Sequence, residues 1–226
     1  MAEPALQTAP LPGPPGAEVE WLLSRCPVPY PQAVATMTAR ARAIAEDAAP
    51  ECVWLLEHPA LYTAGTSAPL DDLLEPNRFP VFASGRGGRF TYHGPGQRVI
   101  YAMLDLSTRG RDLHAFVHAL EDWLMAALAR LGVAANRQPG AIGVFVGEAK
   151  ITSIGVRVRR WVSFHGASLN VAPNLAHFSG IVPCGLAETP VTSLAALGAE
   201  TDMGKVDAAL RATFADAFAH MASARS

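Results

Sequence analysis

The stretch 147–186 reads GEAKITSIGVRVRRWVSFHGASLNVAPNLAHFSGIVPCGL. Near its start is Lys150, one of two lysines in the chain, and near its end is Cys184, one of three cysteines. Apolar residues interleaved with polar ones follow Lys150, which is typical of a half-buried strand. A second run, from Trp161 to Val171, also has strand character, so the sequence predicts a β-hairpin that turns around Arg159-Arg160. Cys184 stands between a proline and a glycine, which favours a rigid loop that presents its side chain.

A lysine and a cysteine held together could carry out acyl transfer through a thioester. The thiolate is the nucleophile, and a free cysteine, with a pKa of about 8.5, is mostly protonated at neutral pH. Lowering that pKa by about 1.5 needs only about 2 kcal/mol, which one nearby cation can supply. The lysine amine could also relay protons. The alternative is that Cys184 is a small apolar residue and Lys150 a solvated charge, and these two residues taken alone favour that alternative.

Length and composition limit the class of protein. A chain of 226 residues that is 50% hydrophobic fits one α/β domain with a sizeable core. Its formal net charge of −2 argues against a globally basic nucleic-acid binder. The cysteines are odd in number, widely spaced and without a C-x-x-C motif, so neither disulfides nor a structural zinc site is predicted. The sequence shows neither an apolar run of membrane-spanning length nor a signal peptide, and a reducing cytoplasmic location is expected.

Composition divides the chain into two parts. Residues 1–17 are rich in proline and are expected to form a disordered tail, whereas residues 18–226 are expected to form one folded domain that contains the candidate catalytic residues Lys150 and Cys184. Strands are predicted at 19–23, 52–57, 81–83, 99–106 and 141–146, helices at 31–48, 112–131 and 206–221, a short helix near 70–74 and a loop at 62–68.

The stretch 85–97, GRGGRFTYHGPGQ, has an unusual composition. Five glycines and a proline argue against ordinary helix or strand and would let the backbone approach a ligand closely. It is either a flexible surface turn or a ligand-binding loop, and it lacks the G-x-x-x-x-G-K-[ST] pattern of a phosphate loop. Its candidate ligand-binding side chains are Arg86, Arg89, Thr91, Tyr92 and His93.

Two histidines, His114 and His118, are four residues apart on the predicted helix 112–131. This spacing suits metal ligands, but no third ligand is identifiable in the sequence. We therefore interpret them as surface or packing residues and predict no metal site.

Four motifs occur together and in order: RGGRFTYHGPGQ at 86–97, KITSIG at 150–155, FHGASLN at 164–170 and IVPCG at 181–185. From about residue 19 to the C-terminus, this combination resembles the octanoyltransferase family of lipoate biosynthesis, the octanoyl-[acyl carrier protein]:protein N-octanoyltransferases. The resemblance implies a single α/β (α+β) domain of the kind found in lipoate-protein and biotin-protein ligases. Its mixed β-sheet would be flanked by helices.

The resemblance also implies a reaction. The family moves an octanoyl group from octanoyl-acyl carrier protein to the ε-amine of a lysine on lipoyl domains of 2-oxo acid dehydrogenase acyltransferase subunits and on the glycine cleavage H protein. Cys184 would form the thioester, and Lys150 would lower its pKa and relay protons. No cofactor or metal is expected, because the donor thioester is already activated. The implied substrate-binding residues are Arg86, Gly87, Gly88, Arg89, Phe90, Thr91, Tyr92, His93, Ser153, Ile154, Gly155, Gly166, Ala167 and Ser168.

Two other functions remain open at this point. An ATP-dependent lipoate-protein ligase would share the fold but would not need a nucleophilic cysteine. A non-catalytic module that binds lipoyl domains or acyl chains would need neither Lys150 nor Cys184. Five arginines could also form a docking patch for the acidic carrier protein, although the last three could instead be a solvated strand face: Arg86, Arg89, Arg157, Arg159 and Arg160.

Overall fold

The computed structural model of the chain describes residues 8–11, 19–182 and 189–222. Its helices are α1 (Tyr30–Ala45), α2 (Leu113–Arg130) and α3 (Met203–Ala222), with short 3₁₀ helices at Leu70–Asp72, Leu106–Thr108 and Leu175–Gly180. Its strands are β1 (Thr8–Leu11), β2 (Glu20–Ser24), β3 (Cys52–Leu56), β4 (Leu61–Ala64), β5 (Val81–Ala83), β6 (Phe90–His93), β7 (Gln97–Met103), β8 (Asn136–Gln138), β9 (Ala141–Val146), β10 (Ala149–Arg159) and β11 (Val162–Asn170).

Eight strands form one mixed sheet in the order β1-β2-β3-β7-β11-β10-β9-β8. The β2–β3 pair is parallel and the other neighbours are antiparallel. A smaller sheet has the order β5-β4-β6. The predicted α/β domain with a mixed sheet flanked by helices is therefore confirmed.

Helices cover both faces of the large sheet. One core joins the sheet to α2 and α3 and includes Trp21, Trp123 and Phe214. The second core lies on the other face beneath α1 and includes Met37 and Trp54. Because β7 is covered on both sides, all seven of its residues are buried, as expected for a central strand.

The hairpin predicted from the opening stretch is confirmed. Strands β10 and β11 pair antiparallel from Thr152↔Leu169 to Arg159↔Val162. The turn lies at Arg160 and Trp161, whose φ angles are 50° and 62°. Two positive φ angles are typical of the tight turn that matches the twist of paired strands.

An irregularity near the start of β10 decides which side chains share a face. Lys150 pairs with Phe145 of β9 and Thr152 pairs with Val144, so one extra residue is inserted between these pairs as a β-bulge. Ile151 and Val144 belong to the core beneath α2 and α3. Lys150 therefore lies on the opposite face, the face that α1 covers.

Three predicted boundaries are wrong in part. Residues 8–11, expected in a disordered tail, form β1 and pair with β2. β1 is an edge strand, where Pro10 is tolerated because an edge leaves some backbone N–H groups unpaired. The predicted loop 62–68 begins inside β4, and the glycine-rich stretch contains β6. Its glycines lie on either side of Phe90–His93, so these four residues remain free to pair with β4.

The prediction of a helix capped by Asp112 is confirmed. The Asp112 carboxylate accepts a hydrogen bond from the backbone N–H of Ala115 at 3.0 Å, and Gly132 follows the helix with φ +79°.

Among the described helices, none is both long and apolar enough to cross a bilayer. The described ranges also hold no group of three or more histidine, cysteine or acidic residues placed to bind a metal.

Candidate active site

A cleft opens on the face of the large sheet that α1 covers, between the glycine-rich stretch and strands β7, β10 and β11. The space between its walls is about 470 Å³ when the open solvent at its mouth is included. Its walls are formed by Tyr30, Arg86, Gly88, Arg89, Thr91, His93, Val99, Tyr101, Ser153, Ile154, Gly155, His165, Gly166, Ala167 and Ser168.

Most residues predicted to bind substrate line this cleft. Eleven of the fourteen do so: Arg86, Gly88, Arg89, Thr91, His93, Ser153, Ile154, Gly155, Gly166, Ala167 and Ser168. Gly87, Phe90 and Tyr92 do not. Phe90 and Tyr92 alternate with Thr91 and His93 along β6, and their rings pack in a separate small core with Tyr62.

The prediction missed four residues of the cleft: Tyr30, Val99, Tyr101 and His165. Val99 and Tyr101 belong to an apolar run that is explained by burial alone. Tyr30 comes from the first turn of α1, far away in the sequence. His165 lay within one of the four motifs and was the member that the sequence could have identified.

Glycines allow the loop to approach the strands closely. A Cβ atom at Gly155 would lie 2.8 Å from Cδ of Arg86 and 3.2 Å from the carbonyl oxygen of Gly87. The backbone N–H of Gly87 donates to the carbonyl of Val156 at 3.0 Å. A side chain at position 155 would therefore push the loop away from β10.

Arg86 is a buried cation held by neutral oxygens. Its guanidinium donates to both Thr63 oxygens at 2.7 and 3.0 Å, to the carbonyl of Arg89 at 3.0 Å and to that of Gly87 at 2.9 Å. These bonds fold the loop around the side chain and fix a positive charge in the wall of the cleft. The predicted docking patch must therefore be corrected, because a side chain that is buried in this way is not part of an exposed surface.

The histidines around the cleft are neutral at neutral pH. Burial lowers the pKa of His58 and of His165 to about 4, and it lowers the pKa of His93 well below its ordinary value. Nδ1 of His58 lies 2.6 Å from the Val28 carbonyl, which can only accept, so Nδ1 carries the proton. Nε2 of His58 then accepts from the Tyr101 hydroxyl at 2.6 Å.

Lys150 is buried, with 5% of its surface exposed. Its Nζ donates to the carbonyl of Ile142 at 2.8 Å and lies 5.7 Å from the ring centroid of Phe145. The β-bulge places Lys150 on the same face as Ser153, which lines the cleft. In a regular strand, residues three apart would point to opposite faces. Lys150 itself is not part of the cleft wall.

Cys184 lies outside the described residues, but the described residues on either side of 183–188 have defined contacts. The backbone N–H of Val182 donates to the carbonyl of Asp72 at 2.7 Å. The Asp72 carboxylate in turn pairs with Arg89 of the cleft at 3.3 Å. On the other side, the backbone N–H of Lys150 donates to the carbonyl of Pro190 at 2.8 Å.

The cleft wall and Lys150 present different chemical groups on one face of the sheet. The cleft combines apolar and aromatic surface with a fixed cation and neutral imidazoles, which suits an uncharged ligand that carries a polarised carbonyl. Lys150 is a buried amine on the same face of the sheet, outside the cleft wall.

The fold and sequence together define the class of protein. A family profile described as the lipoyl protein ligase A/B catalytic domain matches residues 29–215, and the chain belongs to this family. A solved structure of a bi-partite lipoate protein ligase from Thermoplasma acidophilum has a similar fold. Its TM-score is 0.64 at 18% identity, and the match covers 86% of this chain and 82% of that one.

Curated relatives identify the branch of the family. The octanoyltransferase of Parvibaculum lavamentivorans is 60% identical over 207 residues, which is 88% of this chain and 92% of that protein. The octanoyltransferase of Caulobacter vibrioides is 60% identical over 89% of this chain and 93% of its own length. The predicted resemblance to octanoyltransferases, and with it the prediction of an acyltransferase, is confirmed.

Proposed function

We propose that this protein transfers an octanoyl group from octanoyl-acyl carrier protein, through a thioester on Cys184, to a lysine ε-amine of lipoyl domains. In the first step the Cys184 thiol gives its proton to Lys150 and attacks the donor thioester as a thiolate; the carbon–sulfur bond to the carrier breaks, and the carrier sulfur takes the proton from Lys150 and leaves as a thiol. In the second step the acceptor amine attacks the acyl-enzyme, forms the amide and regenerates the thiol. The proton lost by the acceptor amine must be removed, and we assign that role to Lys150.

The position of Lys150 is the observation that carries the proposal. A lysine is rarely buried without a paired carboxylate, yet Nζ of Lys150 donates to a neutral carbonyl oxygen. Its backbone is hydrogen-bonded to Pro190, which follows the Cys184 segment in the chain. Burial of an amine without a paired carboxylate is costly, and groups buried at such a cost are concentrated at functional sites.

We propose the class of acceptor from what is known of a related ligase. The Thermoplasma acidophilum ligase was solved in a study of its own E2 lipoyl domain, and lipoyl domains are therefore the acceptor class that we propose here. The 2-oxo acid dehydrogenase acyltransferase subunits and the glycine cleavage H protein are the specific acceptors to test.

We propose the class of donor from the positive charge of exposed arginine side chains. Arg157, Arg159 and Arg160 are exposed on the hairpin, and Arg89 at the mouth of the cleft is also partly exposed. This surface is suited to an acidic carrier protein, because opposite charges steer association. Its salt dependence is a direct test, since screening weakens attraction between exposed charges.

The experiment is a transfer assay with a purified lipoyl domain and octanoyl-acyl carrier protein, with and without ATP. We expect octanoylation without ATP and its loss in Cys184→Ala and Cys184→Ser. Transfer of free octanoate that requires ATP and releases pyrophosphate would instead identify a ligase. Binding of the lipoyl domain without any transfer would identify a non-catalytic module.

A further inference from the structure

Glu121 is a buried carboxylate on the face of the large sheet opposite the cleft. It belongs to α2, and only 3% of its surface is exposed. Its Oε2 accepts a hydrogen bond from Nε of Arg137 at 2.6 Å, and Nδ1 of the exposed His118 lies 3.3 Å away. An ion pair taken out of water contributes little net stability. The pair with Arg137 therefore does not by itself explain why a carboxylate is buried here.

The other oxygen of Glu121 holds the peptide unit that binds Lys150. Oε1 accepts a hydrogen bond from the backbone N–H of Gly143 at 3.0 Å. The carbonyl of the same peptide, that of Ile142, accepts from Nζ of Lys150 at 2.8 Å. In a trans peptide the N–H and the C=O point in opposite directions. Glu121 and Lys150 therefore lie on opposite sides of one peptide, the carboxylate on the α2 side and the amine on the cleft side.

The backbone of β9 is irregular at Gly143, which allows its N–H to point away from the neighbouring strands. The pairs between β9 and β10 end at Val144, and those between β9 and β8 pass from Phe145 to Ala141. Gly143 lies between these pairs with φ +123°, a conformation that glycine adopts without steric cost. Its N–H is directed to α2 instead of to a strand.

A carboxylate on one side of a peptide strengthens the hydrogen bond on the other side. Hydrogen bonds that are linked in a chain polarise one another, by roughly 10–30% per bond, and bonds to an ionised acceptor are stronger than bonds to a neutral one. When Glu121 accepts from the N–H, electron density moves toward the Ile142 oxygen. That oxygen becomes a better acceptor for Nζ of Lys150, and the amine is held more firmly in one position.

We propose that Glu121 is a positioning residue for octanoyl transfer, which holds the amine of Lys150 in place through the Ile142–Gly143 peptide. This inference rests on the proposed function, in which Lys150 takes up and returns protons. Because Glu121 lies on the other side of the sheet from the cleft, its loss should slow the chemical steps and leave substrate binding unchanged. If the carboxylate served folding alone, its loss would lower stability and leave kcat of the folded protein unchanged.

Steady-state octanoyl transfer from octanoyl-acyl carrier protein to a lipoyl domain tests this with two adjacent carboxylates. Glu121→Gln removes the charge and should lower kcat about tenfold, while KM for both substrates stays within about twofold of wild type. Asp122→Asn is the matched control. Asp122 also pairs with Arg137, at 2.9 Å, but its side chain is 54% exposed, whereas that of Glu121 is 4% exposed. Its loss should leave kcat within about twofold of wild type.

Arg137→Met separates positioning from packing. It removes the ion pair but keeps the hydrogen bond from Gly143 to Glu121, so kcat should stay within about twofold of wild type. If Glu121 only anchored Arg137, the two variants would lower kcat equally. Thermal melting checks that each variant is folded. If Glu121→Gln alone is unfolded because its amide faces the guanidinium, the double variant with Arg137→Met removes that conflict and should show the same loss of kcat.

Chemical labelling measures the restraint on Lys150 without the reaction. The chain has two lysines, and the side chain of Lys205 is 69% exposed, so its acetylation by acetic anhydride is an internal standard for that of Lys150. In Glu121→Gln the labelling of Lys150 relative to Lys205 should rise about fivefold, because a weakened hydrogen bond releases the amine more often. In Asp122→Asn the ratio should not change.

Three results would overturn the proposal. It is wrong if folded Glu121→Gln keeps kcat within about twofold of wild type, if Arg137→Met lowers kcat as much as Glu121→Gln does, or if the labelling of Lys150 does not change. Failure of the proposed function is separate, because it appears as absence of octanoyl transfer by the wild-type protein. The labelling ratio then still decides whether Glu121 restrains Lys150.

Discussion

Replacing Gly143 by alanine tests how the fold positions Lys150. Gly143 in β9 has φ +123°, a conformation that residues with a side chain rarely adopt. A Cβ atom there would lie 2.6 Å from the carbonyl oxygen of Thr152, 2.8 Å from Cε of Lys150 and 3.3 Å from its Nζ. The first two distances are shorter than real Cβ atoms tolerate, so the lysine side chain must move.

The cost can be worked from these contacts. Backbone strain at such a φ angle costs about 1–3 kcal/mol, and overpacking a filled site adds about 1–3 kcal/mol. We expect Gly143→Ala to lower the free energy of unfolding by roughly 2–6 kcal/mol. Because a displacement of about 1 Å can cost about a hundredfold in rate, octanoyl transfer should fall by at least about tenfold even in the folded fraction.

Gly147 provides a matched control. It also has a positive φ angle, +59°, but a Cβ atom there would meet nothing within 4 Å. Gly147→Ala should cost only about 1–2 kcal/mol and leave transfer within about twofold of wild type. Urea denaturation and the transfer assay measure both quantities. If Gly143→Ala matches Gly147→Ala in stability and activity, contact with Lys150 does not constrain the site.

Three further predictions concern other groups. Lys150→Met should reduce transfer at least about a hundredfold with little change in melting temperature, since one hydrogen bond to a carbonyl is lost; transfer within tenfold of wild type would contradict its role. Burial lowers the pKa of His58 to about 4 in the folded protein, whereas a histidine in the unfolded chain has a pKa of about 6.5. As the pH is lowered from 6.5 to 4, the unfolded state takes up a proton that the folded state does not, so the free energy of unfolding decreases. In His58→Gln, unfolding between pH 6.5 and 4 should take up about one proton fewer, so the free energy of unfolding should depend less steeply on pH. An unchanged pH dependence would be inconsistent with a neutral buried imidazole. Arg98 and Asp207 form an ion pair at 2.8 Å, and only 4% and 8% of their side-chain surfaces are exposed. Asp207→Asn should lower the free energy of unfolding by about 3–5 kcal/mol, whereas the double variant Arg98→Met with Asp207→Leu should recover most of that loss. A double variant as unstable as the single one would contradict this.

Much of the fold could be predicted because its elements carry strong local signals. The hairpin from Lys150 to Asn170 has strand periodicity and a short polar turn, and α2 has both a capping aspartate and an apolar stripe. β4, β6 and β8 are only three or four residues long. These short strands form by pairing with strands that are distant in the sequence, so the local amino-acid composition does not predict them.

The candidate site was predictable in part for a related reason. Loop residues such as Arg86 stand out because glycines surround them. Tyr30 and Tyr101 do not stand out, since buried aromatic residues are the normal content of a core. The local sequence also does not predict the β-bulge that places Lys150 on the same face as the cleft. The sequence places Lys150 and Ser153 three apart, and only pairing with β9 shows that both lie on one face.

The most direct test of the account is the intact mass of the protein after incubation with octanoyl-acyl carrier protein. We predict one added octanoyl group that hydroxylamine removes, that Cys184→Ala does not acquire, and that passes to a lipoyl domain without ATP. A wild-type protein that transfers octanoyl while never carrying it, or that carries it equally in Cys184→Ala, would contradict a thioester on this cysteine.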